Sequence, residues 1–252
     1  MNKGKKDYTF EELIGIIKML RSENGCPWDR AQTHQSIKGN LIEEAYEAAE
    51  ALDSGNKDAF ADELGDVLLQ VVFHSEIGES EGTFTITDVL NHVCNKMITR
   101  HSHIFGSDEA ERPEDALDVW EKNKQKEKGL SSVSQSMKDV CHYLPALLRA
   151  QKVLKKVIKA GCSCDIKDVA ANISKSADRL QMLVSEGNAK ETEKMIGEML
   201  LSIACITQSF DFKAEELLRE ATDSFITRFE KREEQAKMDV ISLPELFSKE
   251  SI

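Results

Sequence analysis

Apolar positions recur at three- and four-residue intervals along most of the chain, and that spacing predicts helices nearly throughout. A first helix is expected over residues 9–23, followed by a turn at Asn24-Gly25-Cys26-Pro27. Two more are expected over 40–53 and 57–79, separated by the short break Ser54-Gly55-Asn56. Gly82 interrupts the pattern, Thr85 with Asp88 opens another helix that ends near His101, and Pro113 stands near the start of one that reaches about Lys128. Strand signals are scarce: only residues 83–87 alternate, weakly and over too short a run to build a sheet. The small, polar stretch 129–136 reads as a linker. Beyond it helices are expected over 144–160, 166–186, 189–210 and 213–236, with a loosely held tail after Met238.

The two halves read as a degenerate repeat. Gly25-Cys26-Pro27-Trp28-Asp29 is echoed by Gly161-Cys162-Ser163-Cys164-Asp165. Leu64-Gly65-Asp66-Val67-Leu68-Leu69 is echoed by Ile196-Gly197-Glu198-Met199-Leu200-Leu201, and Ile98-Thr99-Arg100 by Ile226-Thr227-Arg228. The order is the same in both halves. The expected organisation is an N-terminal domain over 1–128, a linker over 129–140, a C-terminal domain over 141–238 and a tail over 239–252.

Composition narrows the function. Acidic residues outnumber basic ones 45 to 33, for a formal charge of −12. That balance argues against a nucleic-acid binder, which needs a basic stripe. It leaves room for a small anionic substrate if a metal ion stands between carboxylates and phosphates. The polar N-terminus shows no signal peptide, and the longest apolar run, 67–73, is broken by Gln70 and too short for a bilayer, so a cytoplasmic location with no membrane partner is expected. The six cysteines form no C-x-x-C pair, and reduced, mostly buried thiols are the better reading than a zinc site at Cys162 and Cys164.

The strongest chemical feature is Glu43-Glu44-Ala45-Tyr46-Glu47 followed by Glu63-Leu64-Gly65-Asp66. Helical spacing puts Glu43, Glu44 and Glu47 on one face, and Glu63 with Asp66 on one face of the next helix. Leu41, Ala45, Ala48 and Leu52 form the stripe expected to pack inward, opposite the core stripe Phe60, Leu64, Val67, Leu68 and Val71. The short break makes the helices antiparallel neighbours, so the carboxylates meet. Four carboxylates gathered between helices repel unless neutralised, and oxygen-only ligands suit Mg²⁺ or Mn²⁺. An acidic, solvated helix face is the duller alternative. No E-x-x-H motif supports a di-iron bundle, no P-loop occurs, and no serine or cysteine stands in a nucleophile-elbow context. His101 and His103 read as caps of a helix C-terminus rather than metal ligands. Trp28 reads equally as a turn anchored in the core or as a stacking surface.

With these motifs in view, the sequence resembles the MazG family of nucleoside triphosphate pyrophosphohydrolases. The resemblance rests on Asn24-Gly25-Cys26-Pro27-Trp28-Asp29, Gln32-Thr33, the two carboxylate motifs, Arg100-His101-Ser102-His103-Ile104-Phe105, Trp120-Glu121 and the segment 144–152. It implies an all-α fold of two tandem MazG-like helical bundles, expected to form a homodimer. It implies hydrolysis of nucleoside triphosphates to NMP and pyrophosphate with Mg²⁺, in a house-cleaning role toward the nucleotide pool. The family's metal ligands fall on Glu44, Glu47, Glu63 and Asp66. Its substrate contacts fall on or near Asn40, Glu43, Lys96, Arg100 and Trp120, and Trp28 or Trp120 offers a ring to the base. Glu43 or Glu47 is the expected carboxylate that orients or deprotonates the attacking water.

Two departures matter. Ser102 stands where the family usually has proline, a loop change. In the second half, the positions of the E-E-x-x-E motif hold Lys175, Ser176 and Arg179, those of E-x-x-D hold Met195 and Glu198, Ser224 replaces Lys96, and Cys164 replaces Trp28. A half so depleted of ligands is expected to be catalytically dead. The alternative for the whole chain is a non-catalytic regulatory protein whose helices bind nucleotides or another protein.

Overall fold

The computed structural model describes residues 7–162 and 165–239. The expected tail from 240 onward, and the Ser163-Cys164 part of the cysteine pair, lie outside the described residues. The chain divides into two compact units, Met1–Asn123 and Lys124–Ile252. Among the described residues there is no strand, so the all-α expectation holds and residues 83–87 form a helix entry instead. No single helix among them is long and apolar enough to cross a membrane.

The first unit begins with α1 (Phe10–Arg21), which starts where Thr9 and Glu12 form a reciprocal capping box. A tight turn at Gly25 follows, where an added Cβ would run into the Met19 and Leu20 carbonyls. It leads into a short α2 (Pro27–Ala31) that the periodicity did not reveal. The Arg21 side chain donates to the carbonyls of Asp29 and Gln32, tying α1 to α2. Next comes the hairpin of α3 (Lys38–Asp53) and α4 (Lys57–Glu81). Its turn uses Gly55 at φ 72° and Asn56, whose side chain accepts from the Asp58 and Ala59 amides.

Helix α1 packs on α4, and the core of the unit forms there: Ile17, Ile37, Val72, Phe73 and Ile77 are buried, with Phe10, Leu13, Ile14, Leu20 and Leu69 packed against them. The core is therefore not where the sequence put it. Of the stripe on α3 only Ala48 is buried, while Leu41, Ala45 and Leu52 are exposed. On α4, Leu64 and Leu68 are exposed and Phe60, Val67 and Val71 half-buried. The physical reason is that within the first unit α1 covers the C-terminal half of α4, whereas the turn end of the α3–α4 hairpin, which carries Leu52, Leu64 and Leu68, stays exposed.

After the turn at Gly82, α5 (Ile86–Arg100) starts on a second capping box, between Thr85 and Asp88. A four-residue α6 (Ser102–Phe105) and α7 (Pro113–Glu127) follow, and the boundary between the units falls inside α7.

In the second unit, the stretch expected as a linker contains α8 (Val133–Lys138). Ser132 caps it by accepting from the Gln135 amide, and Gln135 in turn accepts from Ser131, so polar residues that looked like linker are a helix start. Helices α9 (Ala146–Lys159), α10 (Ile166–Ser185), α11 (Ala189–Ser209) and α12 (Ala214–Asp239) complete it. As in the first unit, two helices form a hairpin, here α10 and α11, and the preceding long helix packs on its second arm. Helix α9 has no cap of its own; Glu215 from α12 accepts from the Leu147 and Leu148 amides. Buried Gln151 donates to Thr207 Oγ1 and the Phe212 carbonyl and accepts from the Ala214 amide, joining α9 to the corner between α11 and α12.

The two hairpins share part of their burial pattern. The register that sets Leu64-Gly65-Asp66 on Ile196-Gly197-Glu198 sets buried Val72, Phe73 and Ser75 on buried Ala204, Cys205 and Thr207. It also sets Gly55 on Gly187, at φ 68°, and Asn56 on Asn188, whose side chain likewise caps the following helix. Among the described residues the cysteines are free, and Cys94, Cys141 and Cys162 are exposed rather than buried.

Candidate metal centre

The hairpin turn decides what α3 and α4 present to each other. Folding back at Ser54-Gly55-Asn56 brings Glu44 opposite Glu63 and Asp66, and one carboxylate oxygen from each lies within 4.8 Å of the others. All three residues are half-buried. Partial burial raises the Glu44 carboxyl above its ordinary range, the Asp66 charge raises it further, and Glu47 adds to the effect through a hydrogen bond and its own charge. Burial also raises Glu63, followed by the charges of Asp66, Asp62 and Glu44. Such a group repels itself and favours a proton or a cation between its oxygens. The donor set, oxygen atoms alone, fits a hard divalent ion.

Glu47 lies one turn beyond Glu44, exposed, and joins the group through Glu44. Glu43 is exposed and outside the trio. Asn40 is half-buried one turn before Glu44, on the same face of α3. On α5, Lys96 is exposed, while Arg100 is buried with its guanidinium over the Trp120 ring at 5.0 Å. The structure thus joins Arg100 to Trp120. Trp28 is 61% exposed on α2, which removes the reading of it as a core anchor.

The loop after Arg100 is held by Ser102, which accepts from Asn123 Nδ2 at 2.6 Å and donates to Asp108. His101 ends α5 as the sequence suggested, its Nδ1 2.7 Å from the Met97 carbonyl oxygen.

Two features escaped the sequence. Gln70, 7% exposed, donates to Glu44 Oε1 at 3.4 Å, which opposes the rise of its pKa. Its signal was present: a polar residue interrupting an apolar run, one turn from Asp66 on the same face. His34 and His74 meet with Nδ1 atoms 2.8 Å apart and rings stacked at 5.1 Å, with Phe84 stacked on His34. Burial, then the neighbouring His34, lowers the His74 pKa, which disfavours the charged ring. Forty residues separate the pair, and no local pattern announces it.

In the second unit the same register replaces Glu44 and Glu63 by half-buried Ser176 and Met195. Glu198, in Asp66's place, is exposed and lies 3.8 Å from Lys194, and Arg179, in Glu47's place, lies 3.9 Å from Glu186. No second acidic trio of this kind occurs among the described residues.

Residues 32–105 match the model of the MazG nucleotide pyrophosphohydrolase domain. A protein of Thermotoga maritima named nucleoside triphosphate pyrophosphohydrolase/pyrophosphatase MazG is 40% identical over 237 residues, covering 94% of this chain and 90% of that protein. The chain belongs to the MazG family. An Escherichia coli K12 nucleoside triphosphate pyrophosphohydrolase is 31% identical over 87% of this chain and 85% of its own length. A Bacillus subtilis protein, YabN, is 39% identical over 95% of this chain but only 49% of its own length. The family is one of hydrolases, and the MazG segment in this chain spans α3, α4 and α5 and with them the acidic trio.

Proposed function

We propose that the chain hydrolyses nucleoside triphosphates between the α and β phosphates, giving NMP and pyrophosphate, with Mg²⁺ or Mn²⁺ held by Glu44, Glu63 and Asp66 together with Glu47. The observation that carries this reading is the convergence of the Glu44, Glu63 and Asp66 oxygens to within 4.8 Å inside the MazG segment. A bound divalent ion supplies charge neutralisation at the phosphates and acidity to a water. The residues do the rest. Glu47, exposed beside Glu44, or Glu43, one residue earlier, takes the water's proton. Gln70 holds the Glu44 carboxylate in orientation through its amide. Lys96 and Arg100, one turn apart on α5, pair with the phosphate chain, and Asn40 contacts the nucleotide. Trp120, already under Arg100, fixes that guanidinium, which leaves Trp28 as the exposed ring for the base.

In this reading 1–128 is the working MazG-like domain and 141–238 a tandem, catalytically dead copy that serves packing, dimerisation or regulation. The exposed apolar residues Leu41, Leu52, Leu64 and Leu68 on the first hairpin support a homodimer, since a second copy would cover them. The role is house-cleaning of the nucleotide pool in the cytoplasm.

The test is a panel of nucleoside triphosphates at fixed Mg²⁺ with product identification. NMP with pyrophosphate, lost in EDTA, supports the reading. NDP with phosphate, or thermal stabilisation by nucleotide without turnover, sinks it.

A further inference from the structure

The second unit differs from the first at a place other than the lost carboxylates. Between α9 and α11 lies a cavity of about 390 Å³, lined by Lys155, Ile158, Lys159, Cys205, Gln208 and Ser209 among others. Its size falls within the range of small-molecule sites. The register of the repeat sets its lining against residues of the first unit's core. Cys205 stands in the place of Phe73, whose ring is buried in the first unit beneath the Arg21 guanidinium. Ser209 stands in the place of Ile77, one of the most deeply buried side chains of that core. Two large apolar groups have become a thiol and a hydroxyl, and both line the cavity.

The charge has turned over at the same position. In the first unit the corresponding residues include Glu76 on α4 and Glu23 just after α1; here they are Gln208 and Lys159. Met19 is matched by Lys155 through the same alignment that sets Gly25 on Gly161. Across these three positions two carboxylates and a methionine have given way to two ammonium groups, one helical turn apart on α9, and an amide. An accidental void left by a shrunken core stays apolar and collapses in part. This one has acquired cations at its rim while Ile158 and the Cys205 side chain keep part of its wall apolar.

We propose that this cavity is a second ligand site, independent of the acidic centre, for a small phosphorylated molecule with a flat apolar body, the chemistry of a nucleoside monophosphate. The two lysines take the phosphate, Gln208 offers its amide, and the apolar wall takes the ring. The site does not depend on the proposed hydrolysis, and it gives the degenerate half a binding role.

The test uses the full chain carrying Glu63→Gln, in EDTA, so that the acidic centre does not report. AMP titrated calorimetrically is expected to bind saturably, one per chain. Lys155→Glu with Lys159→Glu, both exposed positions, should weaken binding by at least about tenfold, the worth of one charge-assisted contact. Cys205→Phe, which refills the cavity, should abolish it; circular dichroism checks that this variant folds, and the lysine pair decides the matter if it does not. The proposal is overturned if AMP fails to saturate at millimolar concentration, or if both lysine substitutions leave its affinity unchanged. Equal affinity for inorganic phosphate and AMP would also overturn it, because the apolar wall would then contribute nothing.

Discussion

The two helical hairpins of this chain are built alike and charged differently. Both turn on a glycine in the left-handed region followed by an asparagine cap, Gly55-Asn56 and Gly187-Asn188, and Val72, Phe73 and Ser75 on the second arm of one are buried as Ala204, Cys205 and Thr207 are on the other. Yet the first gathers Glu44, Glu63 and Asp66 at its mid-length, and the second puts Ser176, Met195 and a lysine-paired Glu198 there. Scaffold and site are therefore separable. Backbone geometry and a few buried apolar positions hold the hairpin, and the polar residues between its arms can change without costing the fold.

The sharpest way to break the comparison is to remove one carboxylate from each hairpin. Glu63→Gln should lower pyrophosphate release by at least about 100-fold, as loss of a metal-site contact does. Glu198→Gln in the second hairpin should leave it within about twofold; equal losses would show that the second hairpin still takes part. Michaelis–Menten assays at saturating Mg²⁺ read both.

The cores should differ next. Phe73→Ala removes a buried ring and should cost about 3–5 kcal/mol in urea unfolding. Cys205→Ala, at the matching position beside an existing cavity, should cost about 1 kcal/mol. Comparable costs would mean that the register linking them is wrong.

The pH response separates the hairpins further. Glu44 and Glu63 have raised pKa values in the folded protein, so the folded chain holds these protons more tightly than the unfolded one. Their stabilising contribution is present below the ordinary carboxylate range and is lost as pH rises through the raised values. In EDTA, melting temperature should fall over that window, and Mg²⁺ should restore it. His74 works in the opposite sense: its pKa is lowered, so its contribution is present above the ordinary histidine value and lost as pH falls through the depressed one. The matching positions in the second unit, Ser176, Met195 and Ile206, do not titrate. Glu44→Gln with Glu63→Gln should flatten the first slope and His74→Phe the second, and unchanged melting profiles would refute both assignments.

The smallest effect sharpens the likeness rather than the difference. Asn56→Ala and Asn188→Ala each delete a helix cap and should each cost about 1 kcal/mol by chemical denaturation. A cap that mattered in one hairpin alone would contradict the shared turn.

Much of the molecule was legible beforehand for physical reasons. Helix starts were readable because Thr9, Thr85 and Asn56 cap within three residues of themselves, a purely local interaction. The acidic trio was legible for a related reason: E-E-x-x-E and E-x-x-D sit on either side of a three-residue break, so hairpin geometry alone brings Glu44 to Glu63 and Asp66. Residues 129–136 misled because Ser and Gln serve a cap as readily as a linker.

What the sequence determined by itself was thus set within a turn or two of helix: the type of the longer elements, their caps, the hairpin and the family to which the chain belongs. What only the tertiary structure decided was which apolar stripe is covered, since Leu64 and Val72 look equally fit for a core until α1 is seen to lie over one and not the other. It also decided the His34–His74 contact, the Arg100–Trp120 stack and the cavity beneath Cys205. Each depends on segments distant in sequence arriving at one place, and packing, unlike periodicity, leaves no repeating mark along the chain.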